Sequence, residues 1–489
     1  MSTNRSLLLL ALVATALAAP VMLTADEAKV SVPVFPDADK GADPAIGAEQ
    51  GGKGFPAIAE KLGFKTNTSF GLVGSLKAKK GGELIRSVSD YPSNFRPIGP
   101  QSNTDFNYIA KELMFEGMLS QHPTTLEFCP SLATHWKSSK DEMTFTFRLN
   151  PNARWADGSP ITSEDVYWTW RLRVAPSLGA PMSKVVYEKF NEPVRVSKYL
   201  IKVTCNKKNW RNFMTFAGML VFPAKQIKSY VEKEDTAGQW NKDFNTKSMM
   251  PSGPYEMRPE DQKTGERVVL RRRLDYWNWK ARINAGMYNF DKLTYVVINE
   301  SALAFERLKK GAPGDINLHL VTTARRWVKE MQAKKIAEMA QGLIQKRKIF
   351  NEEPQGVSGI AMNTRRPPLN DVRVRKALTL LLNRKLLLKK LMFKQYIPLR
   401  SYYPGGDYEN PKNPKNRYDP RTALKLLAEA GYKTRNGAGY LVNAKGEEFS
   451  IKLIYRSKGF EPHLTMYQES LKNAGIKLEL NLTRPEQHW

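Results

Sequence analysis

Residues 361–391, AMNTRRPPLNDVRVRKALTLLLNRKLLLKKL, leave the backbone little choice. Pro367 and Pro368 forbid a helix before Asn370, and each pushes the residue ahead of it to extended geometry. Asp371 can then cap a helix whose apolar positions Val374, Ala377, Leu378, Leu381 and Leu382 follow helical spacing. Arg373, Arg375 and Lys376 fall on its other side. Asn383 reads as a second cap, opening a further helix with Leu387 and Leu391 inward. An extended crossing that enters a buried helix pair is what this order of residues predicts.

The chain has 489 residues, enough for two or three domains, and 41% of them are apolar, as in ordinary globular proteins. Its charge is not ordinary. Against 48 acidic residues stand 76 Lys and Arg, a net +28, which favours anionic partners such as nucleic acid, lipid headgroups or acidic solutes. The densest short runs, Arg271-Arg272-Arg273 and Lys346-Arg347-Lys348, lack the regular aromatics of a nucleic-acid platform. Nucleic acid is therefore not the expected partner, and the basic residues read as a solvated surface.

Residues 1–25 read as a secretory signal peptide. Met1 to Arg5 is a short basic segment, the apolar run from Leu7 to Leu17 is too short to span a bilayer, and Ala16-Leu17-Ala18 offers a cleavage site. No cysteine stands there for lipid attachment. Nothing later is apolar for long enough to cross a membrane, so a soluble protein outside the cytoplasm, in an oxidising space, is expected. Residues 26–80 are rich in Ala, Gly, Pro, Asp and Lys and are read as a leader or linker with little core. Asp37, Asp39 and Asp43 lack the closing glutamate of a calcium loop and predict a mobile acidic turn.

From Gly82 the pattern becomes regular. Glu83 to Val88 reads as a strand, Asn107 to Leu119 as a helix ending on Phe115-Glu116-Gly117-Met118-Leu119, and Thr144 to Leu149 as an alternating strand. Thr162, with Asp165 three residues on, makes a capping-box start to a helix carrying Trp168 and Trp170. On physical grounds alone these residues are scaffold. As a string they say more: Leu132-Ala133-x-x-Trp136, then Thr144-Phe-x-Phe-x-Leu149, then Trp155-x-Asp-Gly-x-Pro-Ile-Thr-x-Glu-Asp-Val166. Further on come Ser252-Gly253-Pro254-Tyr255, Asp275-Tyr276-Trp277, Asn363 with Pro368-Leu-x-Asp-x-Arg-Val-Arg-x-Ala377, and the loop Ser401-Tyr402-Tyr403-Pro404. Taken together, the order resembles bacterial extracellular solute-binding protein family 5, the oligopeptide- and dipeptide-binding proteins of ABC importers, over about residues 82–489. Thr134 and His135 depart from the family's more usual acidic-small pair.

The resemblance implies an α/β fold of the two-lobed periplasmic binding protein type, in its peptide-binding class, with a cleft that closes on its ligand like a hinge. Residues 81–355 correspond to lobe I and residues 356–489 to a partial lobe II, since family members continue well beyond a position equivalent to Trp489. Asp419-Pro420 opens a helix there with Ala423, Leu424, Leu427 and Ala428 inward. A strand over Phe449 to Tyr455, a helix near His463 to Ala474 and a strand over Ile476 to Leu480 then form a parallel βαβ unit.

By position, the ligand-facing candidates are Asn103, Thr104, Ser252, Gly253, Tyr255, Asn363, Tyr402 and Tyr403. The expected partners are a peptide or similar small solute and the permease subunits of an importer, with the binding protein a monomer peripheral to the membrane. Family members bind dipeptides, oligopeptides, nickel, haem or oligosaccharides, and these residues do not choose among them.

No catalytic constellation is legible. The five histidines lack metal spacing, and no Gly-x-Ser-x-Gly elbow or phosphate loop occurs. No catalytic residue, metal ligand or cofactor is expected, and an envelope hydrolase or a basic polyanion-binding protein stands as the alternative. The two cysteines, Cys129 and Cys205, are candidates for one disulfide in an exported chain; two separate buried thiols are the other reading.

Overall fold

The computed structural model describes residues 32–36, 39–234, 236–321, 323–350, 356–404 and 407–483; the expected signal peptide lies outside them. The first part of the chain is built on the strand Thr144–Leu149. Its alternation puts Phe145, Phe147 and Leu149 on one face, where they join a core that also takes Trp168, Trp170, Phe216 and Phe222. The strand sits second in an antiparallel sheet ordered Ala133–Ser138, Thr144–Leu149, Leu200–Thr204, Val194–Arg195. In a second sheet Glu83–Val88 runs parallel to Lys292–Val297, which pairs antiparallel with Arg267–Arg272. Val268, Leu270 and Tyr295 of this sheet enter the same core.

The predicted capping box exists. The Thr162 amide donates to Asp165 Oδ2 at 2.8 Å, and the Thr162 hydroxyl accepts from the Glu164 amide at the start of the helix Ser163–Val174. Asp165 does a second job, since its Oδ1 accepts from the Ala224 amide at 2.8 Å and so also ties the start of the helix Ala224–Glu232. One carboxylate thus serves the first turns of two helices.

The leader departs from the expectation of little core. Among its described residues Phe55, Phe64, Phe70 and Leu72 are buried, and Phe55, Ala59 and Phe64 pack on Leu200. Lys65 extends the first sheet by an antiparallel bridge to Trp136. The cause lies on the second face of Thr144–Leu149, where Arg148 is fully buried. Its guanidinium donates to Asp39 Oδ1 (2.8 Å), Gly51 O (2.9 Å) and Thr134 Oγ1 (3.0 Å). Asp43 pairs with Lys198 at 2.8 Å, so two of the three acidic residues are anchored by cations; Asp37 lies outside the described residues. Gly52 shows how tightly this segment is folded, because a Cβ there would stand 1.9 Å from Ile46 O.

Two smaller expectations are also corrected. The helix predicted to reach Leu119 is Asp105–Met114, because Phe115 turns extended at φ −128° and ψ 152°. Leu424 points outward at 38% exposure, while Ala423 and Leu427 of the helix Pro420–Glu429 are fully buried.

After residue 356 a separate core forms from Val374, Ala377, Leu378, Leu381, Ala423, Leu427, Tyr467, Leu471 and their neighbours. Asp371, Asn383 and Asp419 each cap a helix as predicted, accepting from Arg373, Leu386 and Thr422 amides. The extended crossing expected before Asn370 is not formed: residues 356–363 are irregular and residues 364–370 are turns, both largely exposed. The strand Ser450–Tyr455 pairs in parallel with Lys477–Leu482 through the helix Glu461–Asn473, the expected βαβ unit.

Cys129 and Cys205 are both free and buried, so the structure corrects the disulfide reading. Denatured, unreduced protein is expected to titrate two thiols; a count of zero would restore the bridge. Asp39→Ala leaves a buried guanidinium without its carboxylate and should cost roughly 3 kcal/mol in urea unfolding. A loss below about 0.5 kcal/mol would mean that the leader is not coupled to the sheet.

Candidate functional site

The early end of the helix Asp105–Met114 decides where Glu116 goes. Phe115 packs edge-on against Phe222, with ring centroids 5.0 Å apart, and the chain continues extended. The Glu116 amide donates to Ser252 Oγ at 3.2 Å and its carbonyl accepts from Val221 N at 3.0 Å. Gly117 follows in a close approach, where a Cβ would lie 3.2 Å from Ala217 O. Held this way, the Glu116 carboxyl meets two donors from a segment about 160 residues later: Tyr276 Oη donates to Oε1 at 2.6 Å and Trp277 Nε1 to Oε2 at 3.0 Å.

The turn beside it is fixed by Arg273. This buried guanidinium donates to the carbonyls of Ser252 (3.1 Å) and Gly253 (2.9 Å), while the Arg273 amide donates to Pro254 O (2.8 Å). Gly253 has no room for a side chain, a Cβ being 2.6 Å from Leu113 O. Between these elements lies a cavity of about 330 Å³, walled by Glu116, Ser120, Pro254, Tyr276, Asn284 and Tyr288 among others. This volume lies in the range of small-molecule sites, and the lining is more polar than is usual for them.

Burial raises the Glu116 carboxyl from 4.5 to about 7, although Tyr276, Trp277, Ser252 and the Arg273 charge all pull the other way. Near neutral pH the group therefore changes charge beside the cavity. It can accept from a solute's N–H or ammonium when ionised and donate one hydrogen bond when protonated. Among the described residues no group of three or more His, Cys, Asp or Glu could hold a metal.

The predicted residues do not converge. Ser252 and Gly253 form the turn behind Glu116, and Tyr255 is buried with its hydroxyl on Phe290 O at 2.9 Å. These three shape the cavity wall without facing it, although Pro254 between them does line it. Thr104 is a helix cap, its hydroxyl accepting from the Asn107 amide, and Asn103 is exposed. Asn363 caps its own turn through the Arg365 amide, at 3.1 Å. Tyr402 and Tyr403 are 77% and 56% exposed, and neither is among the residues lining the cavity. Glu116 was missed as a site residue. The strings containing it and its partners, Phe115-Glu116-Gly117 and Asp275-Tyr276-Trp277, were legible, but nothing in their spacing joined them.

Because the native carboxyl holds its proton more tightly than the unfolded one, its contribution to stability is complete below about pH 4.5 and is lost as pH rises through about 7. Glu116→Gln removes that dependence. Its melting temperature relative to the parent should therefore rise between about pH 5 and pH 8. A difference that stays constant across that range would place the titration elsewhere.

The model for bacterial extracellular solute-binding proteins, family 5 (middle region), matches residues 127–489. A Brucella suis biovar 1 chain named only as a binding protein is 26% identical over 381 residues, covering 70% of this chain and 58% of its own length. The chain thus spans less than two thirds of that relative. The periplasmic murein peptide-binding protein MppA of Escherichia coli K12 is 25% identical over 427 residues, 83% of this chain and 71% of MppA. Among solved structures, the oligopeptide-binding protein AppA of Bacillus subtilis, in complex with a nonapeptide, superposes with a TM-score of 0.65 at 22% identity. That match covers 83% of this chain and 76% of AppA. The fold is therefore the two-lobed α/β type of periplasmic peptide-binding proteins. With its middle model matched over most of the length, the chain belongs to bacterial extracellular solute-binding protein family 5.

Proposed function

We propose that this protein captures peptides, or small solutes of peptide-like polarity, outside the cytoplasm and delivers them to the membrane subunits of an ABC importer. The observation that carries the reading is the polar cavity beside Glu116, set in a family 5 frame. A ligand amide or ammonium group suits the ionised carboxyl, while the rings of Tyr276 and Tyr288 offer flat apolar faces. Relatives whose names refer to peptides, such as MppA, support the choice of solute. The work is binding and not catalysis, the protein acts as a monomer, and the apolar amino-terminal run serves for export. Asn103, Asn363, Tyr402 and Tyr403 take part when the cleft closes on a solute.

Purified protein is expected to gain a few degrees in melting temperature with defined di- to octapeptide pools at saturating concentration. Glu116→Gln should weaken that gain above about pH 7, where the parent carboxyl is ionised. Peptide or ester hydrolysis abolished by a single carboxylate or serine substitution would overturn the reading in favour of an enzyme.

A further inference from the structure

Capture of a solute in a cavity near Glu116 gives no role to the positive charge. Part of that charge is dense along the chain: residues 364–400 hold eleven Lys or Arg and a single Asp, more than a third of the net +28 in under a tenth of the length. The fold gathers part of this excess onto one surface. In the helix Arg384–Lys390, Lys385, Leu386, Lys389 and Lys390 are exposed, and their spacing places them on a single helix face. The chain then folds back on the helix end, with the Lys394 amide donating to Leu388 O at 3.0 Å, which keeps Lys394 beside the last turn. Arg400 continues the exposed basic run. The described ion pair of this segment, Arg373 with Asp371, leaves these five cations to solvent.

Apolar groups stand among the charges. Leu386, Tyr396 and Ile397 are 38%, 51% and 67% exposed, in the same short stretch. Single apolar side chains are common on soluble surfaces, but set among cations they also suit an interface between water and hydrocarbon, which accommodates both kinds. No helix among the described residues is long and apolar enough to cross a membrane, so contact would be peripheral. We propose that the exposed basic helix face of Lys385, Lys389 and Lys390, with the exposed segment 394–400 that follows it, docks on a bilayer rich in anionic lipid. Lysines there meet phosphate headgroups, and Leu386, Tyr396 and Ile397 settle at their level. This holds whatever solute the cavity takes.

The full chain should co-sediment with vesicles containing about 30% phosphatidylglycerol, not with pure phosphatidylcholine, and should be released between roughly 0.05 and 0.5 M salt. Lys385→Glu/Lys389→Glu/Lys390→Glu should weaken that partitioning at least about tenfold. Lys61→Glu/Lys77→Glu/Lys79→Glu changes net charge equally at exposed positions elsewhere and should leave it within about twofold. Matching melting temperatures would show that both variants fold. Equal losses in the two variants would reduce the effect to diffuse charge and overturn the proposal. So would binding to heparin or DNA with no binding to the anionic vesicles.

Discussion

A guanidinium with no access to water must be surrounded by acceptors, and that requirement organises the first part of this molecule. Arg148 is fully buried on the strand whose other face carries Phe145 and Phe147. Its donors reach Asp39, the carbonyl of Gly51 and the hydroxyl of Thr134, so a stretch of chain with unremarkable composition becomes a fixed strap across the sheet. Thr134 and His135 fall at this contact. Thr134 accepts from Arg148 and, through its carbonyl, from Thr66, while the His135 ring lies 5.4 Å from that of Phe55.

A second buried guanidinium does the same for the site. Arg273 collects the carbonyls of the Ser252–Gly253 turn, and the turn's serine in turn holds the Glu116 backbone. The carboxyl is left between two ring donors and a polar cavity, where burial rather than any like charge sets its proton affinity. The same pattern serves different ends: in one place a buried cation fixes a strap, in the other it fixes a wall.

Much of the fold was legible because its signals are local. Caps at Thr162, Asp371, Asn383 and Asp419 each act over two or three residues, and alternation over Thr144–Leu149 needs only the strand itself. The leader was misread for the converse reason. Its spacing is weakly periodic, and its order depends on a cation about a hundred residues away. The site was legible in pieces. Ser252-Gly253-Pro254-Tyr255 and Asp275-Tyr276-Trp277 stand out as strings, yet the carboxylate that unites them falls in the helix predicted over Asn107 to Leu119.

The sequence by itself determined the family, the α/β class, several helix starts and the positive charge, since each follows from residue order or from covalent neighbours. Tertiary structure alone decided that the leader is core, that the two cysteines stay apart, and that Glu116 rather than the exposed tyrosines stands at a cavity. These outcomes depend on what burial places next to a charge or a thiol. Desolvation acts on neighbours in space, and spacing along the chain carries no record of them.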